Sequence, residues 1–157
     1  VVDAWQVLRG EANLGASVVI ADWRCDWIGL GLAEKLARDG CRVRLCVNGY
    51  MAGQMIQQYV RDTWLGTLNS LGVEIVPMAR LFGAEGGSVY LQHTMSDEPI
   101  VYDDVDTLVL AAPAEPESDL EAALEGIGAA IHVIGDCLAP RTAEEAILEG
   151  MRAGLAV

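Results

Sequence analysis

The run at residues 16–21, Ala-Ser-Val-Val-Ile-Ala, constrains this chain more than any other feature. Adjacent β-branched residues send apolar side chains to both faces at once, the mark of a strand buried on both sides in a parallel sheet. Residues 22–27 read as a loop. Beyond it Ile28, Leu32 and Leu36 recur four apart, as do Ala33 and Ala37, which predicts an amphipathic helix over 28–39. Gly40 stands where a helix C-cap places glycine. Residues 42–47, Arg-Val-Arg-Leu-Cys-Val, alternate polar and apolar and predict a second strand. Strand, helix and strand form a βαβ unit, so the two strands should run parallel with a right-handed crossover.

The rest of the chain extends this unit. Residues 4–14 predict a short helix or turn, 51–71 a second helix capped by Gly72, and 73–77 a third strand. The texture then changes. Residues 83–87 are turn-rich, and 88–92 with 99–102 predict a hairpin around a turn at 95–98. Residues 107–111 predict another buried strand, and 118–125 an acidic helix. A last strand is expected at 130–134, Ala-Ile-His-Val-Ile. The final helix spans 142–153, with Thr142 as N-cap and Glu145 at the capping-box position. This order predicts an α/β fold, a Rossmann-like three-layer sandwich with a mostly parallel sheet and a small antiparallel hairpin insert.

Charge excludes several functions. The 157 residues carry 23 Asp+Glu against 10 Lys+Arg, a formal net charge of −13. Residues 1–80 are balanced, eight bases against eight acids, whereas 81–140 hold twelve acids and no Lys or Arg. Nucleic acid and anionic membranes reward basic residues, so neither is an expected partner. No stretch approaches the roughly 20 apolar residues of a membrane helix. No signal-peptide pattern opens the chain. It starts at Val1 rather than Met, which suggests a processed chain or an excised piece. Cys25, Cys41, Cys46 and Cys137 show no C-x-x-C spacing, so free thiols in a reducing cytoplasm are expected rather than a zinc or redox site.

A dinucleotide fingerprint needs glycines directly after the first strand, where the backbone must approach a pyrophosphate at a helix N-terminus. Here the loop is Asp22-Trp23-Arg24-Cys25-Asp26-Trp27, with no glycine until Gly29. Two tryptophans fill the space and two carboxylates repel a diphosphate. Gly29 and Gly31 fall inside the helix pattern and suit close helix packing. The second predicted strand ends in Asn48-Gly49, where a ribose site prefers an acid. Asp22 and Asp26 suggest a metal pair only weakly, and a solvated loop is the simpler expectation. Lys35, the only lysine, is too early for a receiver-type phosphoacceptor site. His93 and His132 lie on different predicted strands with no nucleophile nearby, so no catalytic triad is expected. His132, inside an apolar run, reads as a core or edge histidine. Gly135-Asp136, between the last predicted strand and the final helix, admits two readings. It can grip the ribityl and diphosphate parts of a flavin nucleotide, or it can simply make a turn and cap it.

Gly135-Asp136-x-x-Ala139-Pro140-Arg141, then Glu145-Ala146-Ile147 and Gly150-x-Arg152-Ala153-Gly154, resembles the C-terminal end of the trimethylamine dehydrogenase and 2,4-dienoyl-CoA reductase group of NADH:flavin oxidoreductases, relatives of old yellow enzyme. Val18-Val19-Ile20, Ala33-Glu34-Lys35-Leu36-Ala37 and Gly40-x-x-Val43 are similar to that group's inserted nucleotide-binding-like domain. The loop from Ala21 to Trp27 resembles the degenerate loop of the amine dehydrogenase subgroup. The resemblance implies a C-terminal piece of a larger flavin/iron–sulfur oxidoreductase, one that dehydrogenates or demethylates an N-methylated amine. In the full-length enzyme it implies FMN and a 4Fe-4S cluster in a TIM barrel, and ADP or FAD in a further domain. Electrons would pass from FMN through the cluster to an acceptor, an electron-transferring flavoprotein in trimethylamine dehydrogenase. It also implies two domains here, a nucleotide-binding-like Rossmann domain over 1–127 and a returning segment of the flavin/ADP domain over 128–157. On this reading the piece itself is non-catalytic and binds no cofactor alone. Its nucleotide-facing residues in the whole enzyme are Gly135, Asp136, Arg141 and Thr142. Two alternatives remain: an NAD(P)H-binding domain of a dienoyl-CoA-type reductase, and a stand-alone α/β binding or docking module without redox role.

Overall fold

The computed structural model describes residues 1–156. In chain order the elements are β1 (Val2–Asp3), α1 (Ala4–Leu8), β2 (Ser17–Asp22), α2 (Trp27–Arg38), β3 (Arg42–Val47), α3 (Gln58–Ser70), β4 (Glu74–Val76), β5 (Ala79–Glu85), β6 (Ser88–His93), β7 (Pro99–Tyr102), β8 (Thr107–Ala111), α4 (Asp119–Ala123) and α5 (Ala143–Ala156). The chain divides into two compact units, Val1–Ala112 and Pro113–Val157.

In the first unit β1-β8-β2-β3-β4 form a five-stranded sheet, parallel at every pairing. Strand alternation sorts its side chains into two cores. Val18, Ile20, Val43, Leu45, Val47, Val109 and Ala111 pack with Leu30, Leu32, Leu36 and Leu68 of the helices. Val19, Cys46 and Leu108 turn the other way and pack with Ala79, Val89 and Leu91. Those three residues belong to β5-β6-β7, a three-stranded antiparallel sheet. The layers are therefore helices, parallel sheet, antiparallel sheet. Each fully buried Val, Leu or Ile in this arrangement contributes roughly 1.5–3 kcal/mol relative to exposure.

The βαβαβ core agrees with the sequence pattern. Gly40 takes φ +90°, which lets the Cys41 N–H reach the Leu36 carbonyl at 3.0 Å, the closure expected of a helix C-cap. Gly72 ends α3 the same way, with φ +76° and a Val73 N–H to Leu68 carbonyl bond of 3.0 Å.

Four boundaries differ. Helix α1 stops at Leu8. Residues 51–56 form turns rather than helix, because Gly53 is left-handed at φ +67° and the Met55 N–H bonds out to the Cys25 carbonyl at 3.0 Å. The hairpin insert is a three-stranded layer. Its first strand, β5, escapes the sequence pattern because the register slips between Leu81 and Gly83, a bulge that breaks alternation.

The fourth difference lies in the second unit. The expected strand at 130–134 does not form. Ile134 has extended backbone, φ −141° and ψ 161°, but among the described residues this unit contains no strand to pair with it. His132 is accordingly exposed, not a core or edge residue of a sheet. Gly135–Cys137 then make one 3-10 turn, and α5 follows. No described residue of this unit is buried. No helix is long and apolar enough to cross a membrane among the described residues.

Candidate functional site

In an open parallel sheet, ligands bind outside the carboxyl ends of the strands where the order reverses. Here the chain leaves β2 for β3 on one side and returns as β8 on the other. The crevice is therefore bounded by Asp22, Ala111 and the turn into α2. Its backbone is tightly tied. The Trp23 N–H donates to the Ala111 carbonyl at 3.1 Å, and the Asn48 N–H donates to the Asp22 carbonyl at 3.0 Å.

The Asp22 side chain occupies this crevice. It is 1% exposed, contrary to the solvated loop expected from sequence. Its Oδ1 accepts the N–H groups of Arg24 at 3.0 Å and Cys25 at 2.9 Å. Its Oδ2 is buried with no hydrogen-bond partner. A Cβ added at Gly29 would lie 2.1 Å from that oxygen, so only glycine lets the first turn of α2 approach β2 this closely. Burial is the main force pushing the carboxyl up to about 6.

The neighbouring groups are committed as well. Asp26 caps α2 by accepting the Ile28 N–H at 2.9 Å, and its other oxygen accepts from Arg24 Nε at 2.7 Å. Asp22 and Asp26 thus serve separate backbone groups, and no cluster of three potential metal-binding side chains occurs among the described residues. At the end of β3, a Cβ on Gly49 would meet Gln54 Oε1 at 2.8 Å and Cys25 Sγ at 3.0 Å. Gln54 Oε1 also accepts the Tyr50 N–H at 3.0 Å. Both side chains therefore pack directly against the Gly49 backbone at the end of β3. Trp27 leans on Trp64 with centroids 5.6 Å apart.

The residues Gly135, Asp136, Arg141 and Thr142 gather in the second unit, before and at the start of α5. Glu149, which the sequence reading passed over, ties two of them together. It accepts the Gly135 N–H at 2.7 Å and pairs with the Arg141 guanidinium. These donors hold the Glu149 carboxyl below the usual range. The Thr142 N–H donates to Glu145 Oε2 at 3.1 Å, and the Glu144 N–H donates to the Thr142 hydroxyl at 3.3 Å. Of the capping box expected at Thr142 and Glu145, the Glu145 half is present, while the Thr142 hydroxyl accepts from Glu144 in place of Glu145. Asp136 is exposed. The Gly135 N–H and the Arg141 guanidinium are thus both engaged by Glu149. The signal for Glu149 was present as an acid two turns into the final helix, but sequence alone could not bring it back to Gly135. His93 is used locally, its Nδ1 accepting the Ser96 N–H at 3.1 Å in the β6–β7 turn.

No family model matches this chain, and no curated protein matches it. Solved structures do. Histamine dehydrogenase from Rhizobium sp. 4-9 superposes with a TM-score of 0.86 at 19% identity, over 97% of this chain and 25% of that one. The 6-hydroxypseudooxynicotine amine oxidase from Pseudomonas geniculata N1 gives 0.84 at 22% identity, over 98% of this chain and 24% of that one. A 2-naphthoyl-CoA reductase gives 0.80 at 21% identity, over 99% of this chain and 23% of that one. The chain spans about a quarter of the length of each. The likeness read from the sequence, to an amine dehydrogenase and CoA-ester reductase group, is met in the fold of an amine dehydrogenase, an amine oxidase and a CoA-ester reductase.

Proposed function

We propose that this chain is the Rossmann-like part of a larger flavin- and iron–sulfur-dependent oxidoreductase that acts on an amine, and that it serves there as scaffold rather than as a dinucleotide-binding module. The observation that carries the reading is the crevice at the end of β2. In a fold shared with an amine dehydrogenase and an amine oxidase, the place for a pyrophosphate is taken by the chain's own Asp22 carboxyl. FMN and a 4Fe-4S cluster belong, on this reading, to a barrel outside residues 1–157, and the redox chemistry is theirs. The part of the chain offered here is orientation. Asp136 would accept hydroxyls of an ADP or FAD bound by a neighbouring domain, with the Thr142 end of α5 beside it. The exposed acids Glu115, Glu117, Asp119, Glu121 and Glu125 keep this stretch soluble and give an electron-transferring flavoprotein an acidic face to meet.

Purification of the full-length gene product tests this reading. Flavin absorbance together with iron is the expected result, and a colourless protein would overturn it. Calorimetry with NADH and NADPH separates the main competitor. An NAD(P)H-binding domain of a CoA-ester reductase, which the 2-naphthoyl-CoA reductase likeness favours, requires micromolar binding. The filled crevice predicts none.

A further inference from the structure

Asp22 combines two properties that conflict at neutral pH. Its carboxyl is enclosed at the carboxyl end of β2, 1% exposed. Its two oxygens are treated unequally: Oδ1 accepts from the Arg24 and Cys25 N–H groups at 3.0 and 2.9 Å, and Oδ2 accepts from nothing. Oδ2 instead abuts the first turn of α2, 2.1 Å from where a Gly29 side chain would begin. No protein donor stabilises a negative charge shared onto that buried oxygen, and burying an unsatisfied ionised group is costly.

We propose that Asp22 is a proton-operated latch, whose neutral carboxyl holds the loop 23–26 and the start of α2 closed and whose ionised carboxyl loosens them. The loop presents three polar or charged groups to it: the Arg24 guanidinium, the Asp26 carboxylate bound to it at 2.7 Å, and the Cys25 thiol. Helix α2 presents Gly29. At the end of β3 the Asn48 N–H donates to the Asp22 main-chain carbonyl, and at the end of β8 the Ala111 carbonyl accepts from Trp23. None of these three residues titrates. Burial pushes the Asp22 carboxyl up from 3.8 to about 6; the Cys25 N–H opposes this, Asp26 adds to it, and the Arg24 N–H and guanidinium oppose it. A carboxyl raised in the closed state favours closure fully below its ordinary value. That contribution is lost as pH rises from about 4 to about 6, and the effect is flat above. Two pH units correspond to roughly a hundredfold in the closed-to-open equilibrium.

The test compares the full chain with its Asp22→Asn variant, which keeps the Oδ1 acceptor and cannot ionise. Unfolding constants from urea titration and exchange rates of the Arg24 and Cys25 amides are followed from about pH 4 to about pH 8. Taking wild type relative to variant cancels the other carboxylates. The expected result is a roughly hundredfold loss of wild-type relative stability by about pH 6 and none beyond. The protection factors of the Arg24 and Cys25 amides, which remove the intrinsic rise of exchange with pH, should fall over the same window in the wild-type chain relative to the variant. A constant ratio of unfolding constants, or Arg24 and Cys25 protection factors that stay level with pH relative to the variant, overturns the latch. If Asp22→Asn does not fold, the carboxyl carbon shift of Asp22 in the wild-type chain decides. A midpoint near 6, tracked by the two amides, supports the latch, and an ordinary carboxylate midpoint rejects it.

Discussion

Gly29 fixes how closely α2 approaches β2, and it does so by lacking a side chain. Its backbone touches the Asp22 carboxyl group so closely that a methyl has no room. Gly29→Ala should destabilise the chain by about 1–3 kcal/mol, the usual cost of overpacking a filled site. A lowered urea midpoint with an unchanged m-value would show it. Gly31 is a useful control, because a Cβ there meets its nearest neighbour, Trp64, at 3.9 Å. Gly31→Ala should be neutral to stabilising, since alanine favours helix. The role of Gly29 was legible from its place in the helix pattern. The burial of Asp22 was not. A carboxylate beside another carboxylate reads as solvent-facing, and only the register of β2 shows that residue 22 is the last rung of the sheet, paired with Val47 and Ala111.

Helices and strands differ in how much of their ending is local. The ends of α2 are written in neighbouring residues, Asp26 as N-cap and Gly40 as the turn after it, so its reading from sequence matches closely. A strand is completed by residues far along the chain. The run 130–134 has strand composition but no partner strand in its unit, and its Ile131 and Ile134 stay exposed. Helix α5 is held to the turn before it through Glu149, which binds both Gly135 and Arg141. Glu149→Ala should free the Gly135 N–H and loosen residues 135–142 without touching the first unit. Faster amide exchange at Gly135, with unchanged exchange in β2 and β3, is the expected outcome.

Across the whole chain, the buried residues sit in one unit. Both apolar clusters lie between Ala4 and Ala111, and among the described residues those beyond 112 contribute none. A chain ending at Ala112 should therefore keep a cooperative thermal transition close to that of the full chain, whereas residues 113–157 alone should show none. Differential scanning calorimetry on both pieces checks this. The charge follows the same line. The acidic excess begins after residue 80 and spans the outer strands and the second unit, while the helix-covered core is balanced. The sequence by itself determined the βαβαβ order, the helix caps, the parallel sheet and the absence of a glycine cradle, because these depend on side-chain period and on residues a few places apart. Tertiary structure alone decided that the insert forms a third layer against Val19 and Cys46, that Asp22 is buried and half-satisfied, and that 130–134 is not a strand. Each of those depends on which distant segment lies across the sheet, and period and local chemistry do not encode that.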